Sequence, residues 1–388
     1  MVEAAAQAHY LTAVFLGSTA FTFLNFGLPI YADDLGMDAV AIGATYTVFT
    51  GTLLLFRPLV GWALDRFGRR WFFTGAFAFY ALAMGVFTQA ESSPMAFFVA
   101  RALQGVGASL MWVTARTMIG DLHSTTDRGT AMGRLLTTSV RGSIFGALFG
   151  FTLLGFMPMR EAWAPAFAGY AAAALLALAW SVFRVRETQP EGTLTARQPL
   201  RFTTPLWRVL VIVFLSGFAS ALIEPIYLLF LKNKFDAGVV LLAYVFLPAG
   251  IVFAILPRYA GNWSDRRGRG PVIAAGVLLA GMVSTALPFW PSLWLVALSY
   301  LLFAAGWAMA SPAEDALVVD LSDDANRGRV MGVKEAAGGA GAALGPLVGG
   351  WVYEYVAVEA AFVLNGLLLL VAAALALLWF SAWSTKGR

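Results

Sequence analysis

Apolar residues fill this chain in long blocks, broken by short clusters of charge, glycine and proline. The blocks fall at about 9–31, 39–64, 70–89, 94–120, 130–156 and 162–183. They resume at about 207–231, 238–260, 271–290, 292–320, 328–353 and 359–383. Crossing a bilayer takes roughly 20 helical residues, and each block is about that long. The turns between them are mostly short, so the pattern predicts twelve transmembrane helices. One longer polar stretch, 185–206, carries ETQPEGTLTARQP and has no apolar period. It reads as a linker between two six-helix halves, 1–184 and 207–388.

Composition supports that reading. The 388 residues are 60% hydrophobic and only 12% charged, against about 25% charged in ordinary soluble domains. So little polar cover cannot shield this apolar surface from water, which places the chain in the lipid bilayer. The same figures exclude a disordered chain, a collagen, a nucleic-acid binder and a small disulfide scaffold. With no cysteine and only His9 and His123, neither a metal centre nor a cofactor is expected. The start, Met1-Val2-Glu3-Ala4, lacks a basic region and reads as no removable signal peptide.

Lys and Arg placement orients the helices. With the N-terminus inside, the inner loops and C-terminus hold sixteen Lys and Arg, against Arg160, Lys232 and Lys234 outside. This bias predicts a multi-pass protein of the inner cell membrane with both termini cytoplasmic.

The halves repeat each other at an offset of 199–200 residues. The run Gly61-Trp62-Ala63-Leu64-Asp65-Arg66-Phe67-Gly68-Arg69-Arg70 matches Gly261-Asn262-Trp263-Ser264-Asp265-Arg266-Arg267-Gly268-Arg269-Gly270. Asp121 matches Asp320, and Gly142, Gly146 and Gly150 match Gly341, Gly345 and Gly349. Two parallel six-helix repeats joined by an inner linker are the pattern of a rocking secondary transporter.

These residues resemble the major facilitator superfamily over essentially the whole length. The G-x-x-x-D-R-x-G-R-R loop at 61–70 is similar to that superfamily's best-known motif. Arg101-x-x-Gln104-Gly105-x-Gly107 resembles a motif of its proton-coupled members, and Gly341-x-x-x-Gly345-Pro346-x-x-Gly349-Gly350 an antiporter pattern. That pattern belongs to the fifth span, where this chain has Ala147 in place of the proline. The resemblance implies the all-α major facilitator fold, a non-enzyme, alternating access and a monomer that carries a small organic solute with protons.

The repeated loops put a carboxylate and several guanidiniums at one membrane face. Gly61 and Gly268 permit close helix approach or a tight turn. Asp65 is suited to cap a helix, while Arg66 or Arg69 can reach Asp121. Asp265, with Arg266 or Arg269, and Asp320 form the matching cluster. Such ion pairs would hold the cytoplasmic gate closed and part when it opens, although plain positive-inside topology also puts Arg there. The glycine rows of the fifth and eleventh spans are expected to allow close contact across the halves, or to serve ordinary packing.

Charges inside spans cost roughly 2.5–3.5 kcal/mol each on insertion scales, so each suggests a partner or a wet cavity. Glu224 lies deep in the seventh span beside Pro225. Burial favours the neutral form of a carboxyl group, as a proton carrier requires. Glu335 lies ten residues before the Gly345-Pro346 pair, beside Lys334, which can neutralise it. The Glu-Pro pair and this acid resemble the drug/proton antiporter branch, from which this chain departs in its first span, where Asn25 stands in place of a membrane acid. Arg116 and Asp315 correspond under the repeat and are candidates to pair across the halves, with Glu314 alongside. Arg101 and Arg141 are the other buried cations, and Arg141 facing a cavity favours anionic or zwitterionic cargo. Met111, Trp112, Phe145, Tyr227, Tyr244 and Trp307 are candidates for an aromatic-lined pocket, though aromatics more often pack or face lipid. The leading reading is a proton-coupled exporter of small amphipathic cations or zwitterions. The alternatives are a carrier of a specific metabolite, metallophore, lipid or organic anion, and, remotely, a non-transporting receptor.

Overall fold

The computed structural model describes residues 2–122, 128–189, 202–322 and 327–381, and no strand occurs among them. The side chains of Asp65 and of several residues in the ninth helix lie outside that description. The helices are α1 (Val2–Gly17), α2 (Phe21–Asp34), α3 (Ala39–Phe67), α4 (Arg70–Phe87), α5 (Met95–Leu122), α6 (Arg128–Phe156) and α7 (Met159–Arg184). They continue as α8 (Thr204–Phe235), α9 (Val239–Arg267), α10 (Arg269–Ala286), α11 (Leu293–Asp320), α12 (Arg327–Tyr355) and α13 (Val358–Phe380). Ten described stretches are long and apolar enough to cross a membrane. Those ten do not include α9 and α12. The latter is rich in glycine and carries Arg329, Lys334, Glu335 and Glu354, which lowers its hydropathy.

The first span is two helices rather than one. The chain breaks at Ser18–Ala20, and α1 and α2 make a single crossing, Gln7–Asp34. Hydroxyl groups satisfy the polar groups that such a break frees. Thr19 Oγ1 donates to the Leu16 carbonyl at 2.9 Å, and Ser18 Oγ lies 2.9 Å from Ser139 Oγ of α6. Ser143 Oγ accepts the Thr22 N–H at 3.0 Å, at the start of α2.

Backbone contacts divide the chain into two units, Met1–Met37 with Val48–Thr195, and Asp38–Thr47 with Ala196–Arg388. In the first, α4 packs on α5 and α7 around Phe73, Phe77, Tyr80, Met111 and Met118. Beside this core Tyr31 stacks on Trp163, with centroids 3.9 Å apart and planes at 7°. In the second unit α8 lies along α12, and α10 sits between α11 and α13. Its core holds Val209, Ile212, Ile273, Val277, Leu317 and Leu369.

The glycines at 142–150 and 341–349 pack within each unit, the ordinary-packing alternative, while the next glycine of α12, Gly350, meets the Ala39 carbonyl of α3. A Cβ at Gly142 or Gly146 of α6 would strike the carbonyl of Phe15 or Thr19, at the end of α1 and the break beyond it. In α12, a Cβ at Gly341 or Gly345 would strike the carbonyl of Phe214 or Phe218 in α8. Phe214 lies 199 residues after Phe15, so the seam recurs with the repeat. The residues lack side chains because two backbones meet there.

Candidate functional site

The second unit contains a cavity of about 290 Å³ between α8, α11 and α12. That is near the lower end of the 300–1,000 Å³ usual for small-molecule sites. Its polar lining comes from Ser216, Ser220 and Glu224 of α8 with Trp307 and Glu314 of α11; Gly217, Gly338 and Ala342 leave the space open. Glu224 is exposed, one residue before the helix-interior Pro225. Glu314 is only 5% exposed, and Ser216 Oγ donates to its Oε1 at 3.4 Å. Asp315, the next residue, accepts from Lys334 Nζ of α12. The lining thus contains carboxylates, hydroxyls and an indole, with no Lys or Arg side chain among its residues. It suits a positively charged or hydrogen-bond-donating solute.

Other expected site residues take separate places. Glu335 is exposed and does not line this cavity. Asp315 is engaged by Lys334 inside its own unit, while the Arg116 guanidinium lies 5.9 Å from the ring centre of Trp112 on its own helix. Arg101 is buried at 1% exposure, donates to Gln104 Oε1 at 3.0 Å and sits 5.2 Å over the Phe49 ring. Asn25 and Arg141 are exposed on α2 and α6. Of the aromatic candidates, Trp307 lines the cavity, Tyr227 packs against Tyr300 at 5.4 Å, and Met111 is core. Phe145 is 61% exposed, and the Tyr244 side chain lies outside the described residues.

The repeated loops form one geometry twice. After α3 and after α9 the chain turns through Gly68 at φ 89° and Gly268 at φ 94°, a region that favours glycine. Gly61 takes no part, since a Cβ there meets no atom within 4 Å. Arg69 Nε donates to Asp121 Oδ2 at 3.0 Å, and Arg269 Nε donates to Asp320 Oδ2 at 3.0 Å. Arg69 also donates to the Leu64 carbonyl at 2.7 Å, and Arg269 to Ser264 Oγ at 3.2 Å and to Asp265. The structure therefore selects, in each loop, the arginine that directly follows the turn glycine. Arg66 instead lies over Trp62 and Phe67, at 6.0 and 5.9 Å. The Asp65 side chain lies outside the described residues.

One member of the first cluster comes from beyond α7. Glu187 accepts the N–H groups of Arg69 (2.9 Å) and Arg70 (3.1 Å), capping the start of α4. Thr188 Oγ1 donates to Asp121 Oδ2 at 3.2 Å. Partial burial raises the Glu187 carboxyl, but bonds from the N–H groups of Arg69, Arg70, Gln189 and Thr188 outweigh it and hold the group below its ordinary value. In the sequence Glu187 is only an acid at the head of a polar linker. Glu314 is legible as a buried charge, but nothing in the sequence says that it, rather than Asp315, faces the cavity.

The comparisons with known proteins agree with this architecture. The chain is 27% identical over 253 residues to multidrug resistance protein 1 of Bacillus subtilis (strain 168), covering 62% of this chain and 64% of that protein. It thus spans slightly less than two thirds of that relative. It is 24% identical over 341 residues to multidrug resistance protein MdtH of Yersinia pestis (strain Pestoides F), covering 84% of this chain and 80% of the relative. The crystal structure of the human organic anion transporter MFSD10 superposes with a TM-score of 0.68 at 19% identity, covering 96% of this chain and 99% of that one. Residues 10–259 and 209–386 match the Major Facilitator Superfamily, so the pattern covers both units. This chain belongs to the Major Facilitator Superfamily of membrane transporters.

Proposed function

We propose that this transporter is a proton-coupled exporter of small amphipathic organic cations, or of zwitterions with an exposed positive end, working by alternating access. The single observation that carries the reading is the cavity whose charged lining residues are Glu224 and Glu314, with the indole of Trp307 beside them. Carboxylates draw in a cation, an aromatic ring adds cation–π attraction, and protons compete for the carboxylates. The multidrug-resistance names of two relatives support the same class of cargo. The protein lies in the inner membrane as a monomer, and the bias of Lys and Arg supports both termini facing the cytoplasm.

In this reading Glu224 carries the coupling proton. The Arg69–Asp121 and Arg269–Asp320 pairs, with Asp265, lock the cytoplasmic side. The test uses purified full-length protein in liposomes with ethidium, a permanent monocation. Glu224→Gln should still bind ethidium yet fail to concentrate it against a pH gradient. Ethidium binding to the wild type should weaken as pH falls from about 8 to 5, because a protonated carboxyl no longer attracts a cation. Binding that is flat over this range, or tighter in acid, refutes the reading. An organic-anion carrier would then be the better account, with Arg116 and Arg141 as its cations.

A further inference from the structure

We propose that Glu314 is a second proton-exchanging carboxylate of this cavity, set apart for that task by the neighbouring Lys334–Asp315 ion pair. The idea rests on the cation-exchange reading above and deepens it from one titrating group to two. Glu314 and Asp315 are adjacent on α11, yet the structure treats them differently. Asp315 takes the ammonium of Lys334, and its side chain remains 47% exposed. Glu314 is 5% exposed and lines the cavity, receiving one hydroxyl donor at 3.4 Å. That distance exceeds the 2.5–3.0 Å usual for a hydroxyl donor.

The polar and charged groups that line this side of Glu314 come from α8, α11 and α12. From α8 it meets Ser216, with Ser220 and Glu224 on the same cavity wall. On its own helix Asp315 adds a negative charge, and Trp307 adds only an indole. From α12 come Lys334, paired with Asp315, and the exposed Glu335 next to it. With Lys334 and Asp315 offsetting each other, Glu314 in its ionised form leaves a net negative charge. A buried charge without a matched partner is costly, whereas the protonated acid is neutral and can itself donate. The empty cavity therefore keeps a proton on Glu314, and an arriving cation supplies the missing charge. As it arrives the O–H bond breaks, the proton passes to water and the carboxylate keeps the electron pair. Glu224, exposed on the same cavity, undergoes the same exchange. Two protons leave for one monocation, so each cycle moves one net positive charge opposite to the cargo.

Two measurements on the full-length protein separate this idea from the reading beneath it. The first needs no cargo and follows the infrared carbonyl band of protonated carboxyl groups between about pH 5 and 8. One titrating component should be present in the wild type, absent from Glu314→Gln and restored in Glu314→Asp. A Glu314→Gln band that titrates like the wild type overturns the proposal. The second counts protons released when ethidium saturates the protein in unbuffered detergent solution. Two are expected from the wild type, one from either Glu314→Gln or Glu224→Gln, and none from the double variant. Release of two protons from both wild type and Glu314→Gln also overturns it. If the wild type releases no proton while the infrared component persists, cation–proton exchange fails and proton exchange at Glu314 stands.

Discussion

At the residue scale, Glu187 shows how one carboxylate can organise a loop. Its oxygens accept the N–H groups that open α4, and its neighbour Thr188 reaches the Asp121 that Arg69 also holds. Replacing Glu187 with glutamine leaves an acceptor but removes the charge that favours a helix N-terminus. The loss should be about 1 kcal/mol, as for other helix caps, read as a lower melting midpoint in detergent. The sign of its pH dependence follows from the depressed folded value. The cap contributes fully above the ordinary carboxylate value of 4.5 and is lost as pH falls through the lower value of the folded protein. The gap between wild type and Glu187→Gln should therefore be constant at neutral pH and close only in strong acid. A gap that closes near pH 7 would contradict this assignment.

At the scale of the element, the glycine seams decide which helices touch. Gly146 faces the Thr19 carbonyl and Gly345 the Phe218 carbonyl, so alanine at either must push two backbones apart. Overpacking of this kind costs about 1–3 kcal/mol. Gly133 lies on the same helix as Gly146, but a Cβ there meets no atom within 4 Å. Gly133→Ala should be neutral or stabilising by up to about 1 kcal/mol, since alanine is the better helix former. Thermal unfolding of the three variants checks the contrast. Equal effects at Gly133 and Gly146 would show that backbone contact is not what the seam glycines provide.

At the scale of the whole molecule, the repeated Arg–Asp pairs predict matched behaviour. Asp121→Asn and Asp320→Asn each remove a carboxylate bonded to an arginine Nε at 3.0 Å. If both pairs hold the cytoplasmic side closed, each variant should shift the transporter's equilibrium toward opening there. The shift should be of the 1–3 kcal/mol typical of coupling energies. Spin labels on the α3–α4 and α9–α10 loops would report it as a population at longer distance. Distributions unchanged in both variants would reduce these pairs to local supports of their loops.

The sequence by itself determined the class of protein, because hydropathy and the spacing of Arg along a chain need no knowledge of folding. Twelve apolar blocks, a repeat at 199–200 residues and three repeated motifs lead to the superfamily, and the family match agrees. It also marked which residues carry charge inside the membrane. Partner choice was beyond it, because a single residue, about 100° of helix rotation, separates a side chain that faces a cavity from one that faces a lysine. Only the tertiary structure decided that Arg69 rather than Arg66 meets Asp121, and that Lys334 takes Asp315 while Glu314 lines the cavity. Only packing revealed the break at Ser18–Ala20, since Ser139 and Ser143 of α6, far along the chain, bond the Ser18 hydroxyl and the Thr22 N–H beside it. The glycine rows were visible in the sequence, but their partners were not, since a glycine marks a close approach without naming what approaches.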